Sequence, residues 1–227
     1  MAQARRSHGF LRSGVLAALV ALALAAPVAA AAPAAPDPIL LVHGYRGDPS
    51  TWADMKAFLE ANGRVVEAID LATEDNVKNA QAISAFIAAK GWARVDLVGQ
   101  SMGGLSARHF TKALRGNVVV DSYTSLGTPQ YGIYAACLLP VTSGGQMCPS
   151  SSFLRTLNNG DDTPGSTTWT TIYSTNDEVV PNSASRLDGG ACFVQVSGPR
   201  HNDMDNDATV MAHVLASVDG TCTGTFK

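Results

Sequence analysis

The sequence predicts an α/β protein: a mostly parallel central sheet of about six strands with helices on both faces. Three observations lead there. Short continuous apolar runs alternate with segments whose apolar residues recur at helical spacing, the pattern of buried parallel strands joined by covering helices. The turn Gly99-Gln100-Ser101-Met102-Gly103 joins one such run directly to a helical segment. Removing an apolar leader from the 227 residues leaves roughly 195, the size of one domain with a single core.

The leader comes first. Arg5, Arg6 and Arg12 make a basic start, residues 15–25 an apolar core, and residues 27–32 a run of small residues with several Ala-x-Ala sites. This predicts a signal peptide over 1–32, an Ala/Pro linker over 33–37 and a single domain over 38–227. The apolar core falls short of the ~20 residues a bilayer helix needs, so the protein is expected to be secreted and extracellular. Losing those three arginines moves the formal net charge from −3 to −6, because no acidic residue precedes Asp37. An acidic surface without basic runs argues against nucleic acid or an anionic membrane as partner.

The elements follow in order. Ile39-Leu40-Leu41-Val42 reads as a buried strand. Trp52, Met55, Phe58 and Leu59 mark a helix over about 50–62 that Gly63 stops. Val65 to Ile69 is the next strand, and Val77, Ala80, Ile83, Phe86 and Ile87 share one face of the helix after it. Arg94 to Val98 leads into the Ser101 turn and its helix. Val118-Val119-Val120 opens a strand running to Leu126, Trp169 to Ser174 and Cys192 to Val196 are two more, and Val210, Met211, Val214, Leu215 and Val218 line a last helix.

Cys137, Cys148, Cys192 and Cys222 are an even set in an exported chain, which suggests two disulfides with three possible pairings. The favoured pairing closes a short loop with Cys137–Cys148 and ties the last strand to the tail with Cys192–Cys222. No Cys-x-x-Cys or nearby His pair points to metal, and no cofactor is expected.

The Gly-x-Ser-x-Gly turn carries the chemistry. A serine between strand and helix sits in a strained conformation with its hydroxyl above the sheet, and Gly99 and Gly103 leave room for strand and helix to approach. Ser101 needs a base. His8 leaves with the leader, His43 stands at the end of the first strand, and His109 and His213 sit on helices. His201 follows a late strand in the loop Ser197-Gly198-Pro199-Arg200-His201-Asn202, where the base belongs in the order Ser, Asp, His. Asp177, just past a strand, is the favoured carboxylate to orient that histidine, ahead of its neighbour Glu178 and of Asp188 in a Gly-rich loop. An oxyanion hole needs two N–H groups about 3 Å from the developing charge. Met102, following the serine, and Tyr45, in the loop His43-Gly44-Tyr45-Arg46-Gly47, are the candidates.

Together, Leu41-Val42-His43-Gly44-Tyr45, Gly99-Gln100-Ser101-Met102-Gly103-Gly104, Leu126-Gly127-Thr128-Pro129, Asn176-Asp177-Glu178-Val179-Val180-Pro181 and the late His201 resemble the α/β-hydrolase family. Within it the chain is similar to the small secreted bacterial lipases of the class 2 lipase group. The resemblance implies the α/β-hydrolase fold and a triacylglycerol lipase or carboxylesterase, with Ser101 as nucleophile, His201 as base, Asp177 as its partner, and Tyr45 and Met102 as oxyanion donors. The substrate is then a small-molecule or lipid ester, with transient contact with a lipid surface, and the protein a monomer. Acyl transfer to an alcohol and hydrolysis of a polyester such as cutin use the same site. A non-catalytic secreted binding protein is the remaining alternative, and it typically lacks one of the three side chains.

Residues 130–150 replace the long lid of larger lipases and offer Tyr131, Ile133, Tyr134, Leu138, Leu139 and Val141, either to an acyl groove or to a loop packed on the sheet edge. Asp203, Asp205 and Asp207 alternate, but Ala208 and Val214 stand where a calcium loop needs Gly and Glu, so Asp207 is read as a helix cap.

Overall fold

The computed structural model describes residues 1–3 and 35–226. All but the first three residues of the predicted signal peptide therefore lie outside the described residues. From Ala35 onward the chain forms one compact unit. Its elements are β1 (Ile39–Val42), α1 (Ala53–Ala61), β2 (Val66–Ile69), α2 (Asn76–Lys90), β3 (Val95–Gln100), α3 (Met102–Ala113), β4 (Val120–Leu126), α4 (Ser152–Leu157), β5 (Thr168–Ser174), α5 (Asn182–Ser185), β6 (Cys192–Val196), α6 (Ala208–Val218) and β7 (Thr225–Phe226).

β1 is buried at every position, as a strand covered on both faces must be. Its alternate side chains feed two cores. Leu40 and Val42 join Leu97, Tyr123 and Phe193 on one face, while Ile39 and Leu41 join Val98, Leu126 and Ile172 on the other. The first core is covered by Ala80, Ile83 and Ile87 of α2 and by Ala107 and Phe110 of α3. The second is covered by Met55 and Leu59 of α1 and by Val210, Val214 and Val218 of α6. Spacing of three and four residues places each set on one stripe of its helix. The ends are fixed as well. Asp75 caps α2 through the N–H groups of Val77 and Lys78, left-handed Gly91 ends it, and Asp207 caps α6 through Thr209 and Val210.

The sheet order is β2-β1-β3-β4-β5-β6-β7, with the first six strands parallel. β2 and β3 flank β1, so the direction of winding reverses beside β1, and a crevice opens there at the carboxyl ends of the strands. Seven strands stand where about six were expected. The extra one is the two-residue β7, antiparallel to β6 with Cys192 opposite Phe226. The strand expected to open at Val118 begins at Val120. Arg115 takes a left-handed conformation (φ 60°), Gly116–Val118 form a 3₁₀ turn, and Val118 is exposed. The disulfides are Cys137–Cys148 and Cys192–Cys222, the favoured pairing, and the second holds the tail beside β6.

Candidate active site

β3 ends at Gln100 and α3 begins at Met102, which leaves Ser101 as the whole connection. Its backbone pays with φ 52° and ψ −125°, a conformation sparsely populated by residues other than glycine and kept only where the surroundings impose it. The surroundings are tight. A Cβ on Gly99 would lie 2.6 Å from the Gly104 backbone nitrogen, so strand and helix meet there, as the sequence suggests. At Gly103 the close neighbour is different: a Cβ would lie 2.3 Å from the carbonyl oxygens of Val42 and His43. The start of α3 is thus pressed onto the end of β1, the strand that leads to Tyr45.

His201 opens a 3₁₀ turn after β6, and its Nε2 lies 2.9 Å from Ser101 Oγ. On the other side its Nδ1 lies 2.8 Å from Asp177 Oδ2. An ionised carboxylate can only accept, so Nδ1 carries the proton and Nε2 accepts the serine hydroxyl. Asp177 is held as firmly. Its Oδ1 accepts the N–H groups of Val179 at 2.9 Å and Val180 at 2.8 Å. The side chains of His201 and Asp177 are 5% and 1% exposed, so water does little to screen them.

The other described histidines are occupied elsewhere. His43 Nε2 accepts the Leu71 N–H at 3.0 Å, which leaves the proton on Nδ1 for the Gly44 carbonyl. His109 leans on the Phe153 ring, and burial lowers its pKa. His213 bonds Thr223 Oγ1 at 2.8 Å.

Ser101 and His201 open into a cleft of about 310 Å³ walled by Tyr45, Ile133, Ala136, Leu139, Met147 and Val179. Residues 130–150 therefore line the cleft, and they also pack on α3, where Ala136 and Met147 meet Met102 and Leu105. Gln146 braces the segment by accepting the Asn76 N–H at 2.7 Å and donating to Asp75 Oδ1 at 2.9 Å. Tyr45, Gln100 and Asn202 also border a polar cavity of about 240 Å³ with Arg46, Thr51 and Asp205. Met102 N–H is the first of α3 and has no intrahelical acceptor. A separate cavity of about 290 Å³ lies at the opposite ends of β5 and β6, lined by Trp169, Cys192 and Phe226, and no histidine lines it.

Three contributors escape sequence reasoning. Gly127 (φ 52°) stands against the Asp177–His201 pair, Glu178 Oε2 accepts the His201 backbone N–H at 3.2 Å, and Gln100 Nε2 donates to the His201 carbonyl at 3.1 Å. Gly127 carried a faint signal as part of Leu126-Gly127-Thr128-Pro129. In the sequence Glu178 stands only as a rival to Asp177 and Gln100 only as a filler of the Ser101 turn, and neither carries a signal for its bond to the His201 main chain.

The sequence model of the alpha/beta hydrolase family matches residues 39–189. This chain belongs to that family. The matched span includes Ser101 and Asp177 and ends before His201. Solved structures share the hydrolase fold. The mature form of the Bacillus licheniformis lipase BlEst2 is 20% identical with a TM-score of 0.70, and the match covers 85% of this chain and 95% of that one. MGS-MChE2, an alpha/beta hydrolase enzyme from the metagenome of Mar Chica lagoon sediments in Morocco, is 20% identical with a TM-score of 0.63, over 80% of this chain and 90% of its own.

Proposed function

We propose that this α/β hydrolase is a secreted carboxylic ester hydrolase of the triacylglycerol lipase type, acting through Ser101, His201 and Asp177. The observation that carries the reading is the unbroken hydrogen-bonded line from Asp177 through His201 to Ser101 at the mouth of an apolar cleft.

In the reaction, His201 Nε2 takes the Ser101 proton as Oγ attacks the ester carbonyl carbon, and Asp177 stabilises the imidazolium that forms. The carbonyl oxygen becomes an oxyanion that the N–H groups of Met102 and Tyr45 receive. The intermediate collapses, the C–O bond to the alcohol breaks, and Nε2–H protonates the leaving alkoxide. Water then attacks the acyl carbon as His201 Nε2 takes its proton, the C–O bond to Ser101 breaks to release the acid, and His201 returns that proton to Oγ.

The surroundings support an ester with an apolar acyl half. Ile133, Ala135 and Val179 are shared between the cleft and a neighbouring groove of about 350 Å³, which offers a longer acyl chain a continuous path. The polar cavity beside Asn202 suits a hydroxylated alcohol half. Tyr134, Leu138 and Val141 are exposed at 84%, 90% and 61% on the segment that walls the cleft, an apolar rim suited to transient contact with lipid. The two disulfides and the leader fit an exported enzyme.

Replacing Ser101 by alanine tests the assignment. Turnover of a p-nitrophenyl ester is expected to fall by about 10⁴-fold or more, with the melting temperature preserved. Retained activity would falsify it.

A further inference from the structure

The loop after β5 presents two adjacent carboxylates, and both bind the same histidine at different atoms. Asp177 takes the imidazole Nδ1 at 2.8 Å, while Glu178 Oε2 takes the backbone N–H of His201 at 3.2 Å. That N–H opens the 3₁₀ turn His201–Asp203, whose own N-cap, Arg200, offers no side-chain acceptor. The first N–H of such a turn has no partner within it, so the acceptor comes from the neighbouring loop. Across the turn, Gln100 holds the His201 carbonyl at 3.1 Å. His201 is thereby fixed at its N–H, its carbonyl and both ring nitrogens.

We infer that Glu178 is a positioning residue for the base: its carboxylate sets the place of the His201 main chain so that Nε2 meets Ser101. The inference rests on the ester hydrolase reading. Arg200 pairs with Glu178 Oε1 at 3.0 Å and steers the carboxylate, leaving Oε2 for the amide. Around the clamp the two loops are joined by Ser174 Oγ donating to the Pro199 carbonyl at 2.6 Å and Asn176 Nδ2 to the Gly198 carbonyl at 3.2 Å. Those bonds stop short of His201, and Glu178 carries the stitching to it. Backbone N–H groups, its own and that of His201, hold the Glu178 carboxyl below the usual carboxylate range. The acceptor therefore stays ionised through the pH range in which a histidine base works.

The test compares wild type, Glu178→Ala and Glu178→Gln on p-nitrophenyl butyrate, with melting temperatures for each. Small displacements of a catalytic group are costly, so Glu178→Ala is expected to lower kcat about ten-fold with KM within about two-fold. Glu178→Gln keeps an oxygen that accepts the same N–H and is expected to restore most of the rate. The side chain is half exposed, so both variants are expected to melt close to wild type. Wild-type kcat in Glu178→Ala, or a glutamine variant as slow as the alanine one, would overturn the inference, the latter by showing that charge and not placement matters. A wild-type protein without esterase activity would instead overturn the hydrolase reading beneath it.

Discussion

Gly127 stands so close to Asp177 that a Cβ at position 127 would lie 2.7 Å from Asp177 Oδ2 and 3.3 Å from His201 Nδ1. Its φ of 52° also penalises any side chain. Gly127→Ala therefore pushes on the hydrogen-bonded Asp177–His201 pair, the proposed carboxylate and base. We expect kcat to fall about 100-fold with KM for a short ester little changed. Backbone strain should lower stability by about 1 kcal/mol. Steady-state kinetics and a thermal melt check both, and an unchanged kcat would show that the pair tolerates displacement.

Asp96 on β3 predicts a pH dependence of stability. Burial pushes its carboxyl up to about 6 despite a 2.6 Å hydrogen bond from Ser122 Oγ, with nearby Asp37 adding to the rise and Arg64 opposing it. The folded-state value lies above the ordinary 3.8, so the folded protein holds the proton more tightly. The stability this contributes is fully present below the ordinary value and is lost as pH rises through about 6. Asp96→Asn has no proton to lose. Its melting temperature should gain on wild type as pH increases from 4 to 7. Asp205, also pushed by burial up to about 6, titrates in both proteins and cancels in the difference. A gap that does not change with pH would refute the assignment.

The two disulfides are expected to separate function from stability. Cys137–Cys148 lies in the segment that walls the cleft with Ala136, Leu139 and Met147. Replacing both cysteines by serine should raise KM for long-chain esters more than for acetate. Cys192–Cys222 joins the start of β6 to the tail, at the end of the strands away from Ser101. Its double serine variant should melt lower, by about 2–4 kcal/mol of stability, with kcat retained. The opposite pattern would place the cleft's rigidity elsewhere.

Residues 130–150 are too short and too well braced to act as a large mobile lid, since Gln146 ties them to Asn76 and Asp75 and the Cys137–Cys148 bridge cross-links them internally. Hydrolysis rates should therefore rise smoothly as an ester passes its solubility limit. An abrupt jump at that point would contradict the prediction.

What the sequence makes legible is local. β1 announces itself as a continuous apolar run, and α2 and α6 as amphipathic stripes, the latter with its Asp207 cap. That Ser101, Asp177 and His201 come together could be read because each stands just past the carboxyl end of a strand, where a parallel sheet gathers its loops. β7 could not be read, because two residues have no period and its pairing depends on a cross-link to β6. Nor could the partners of the His201 main chain. Glu178 lies 23 positions away and Gln100 lies 101, and no spacing rule joins a side chain to a backbone amide at such distances. Adjacency of Asp177 and Glu178 suggests a choice between them, whereas the structure engages both.

The most direct test of the account is covalent labelling with a fluorophosphonate probe, followed by mass spectrometry of the peptides. An activated serine reacts and an ordinary one does not. One adduct is expected, on Ser101, forming in the wild type and failing to form in His201→Ala. No adduct on Ser101, or one that forms equally fast without the imidazole, would contradict it.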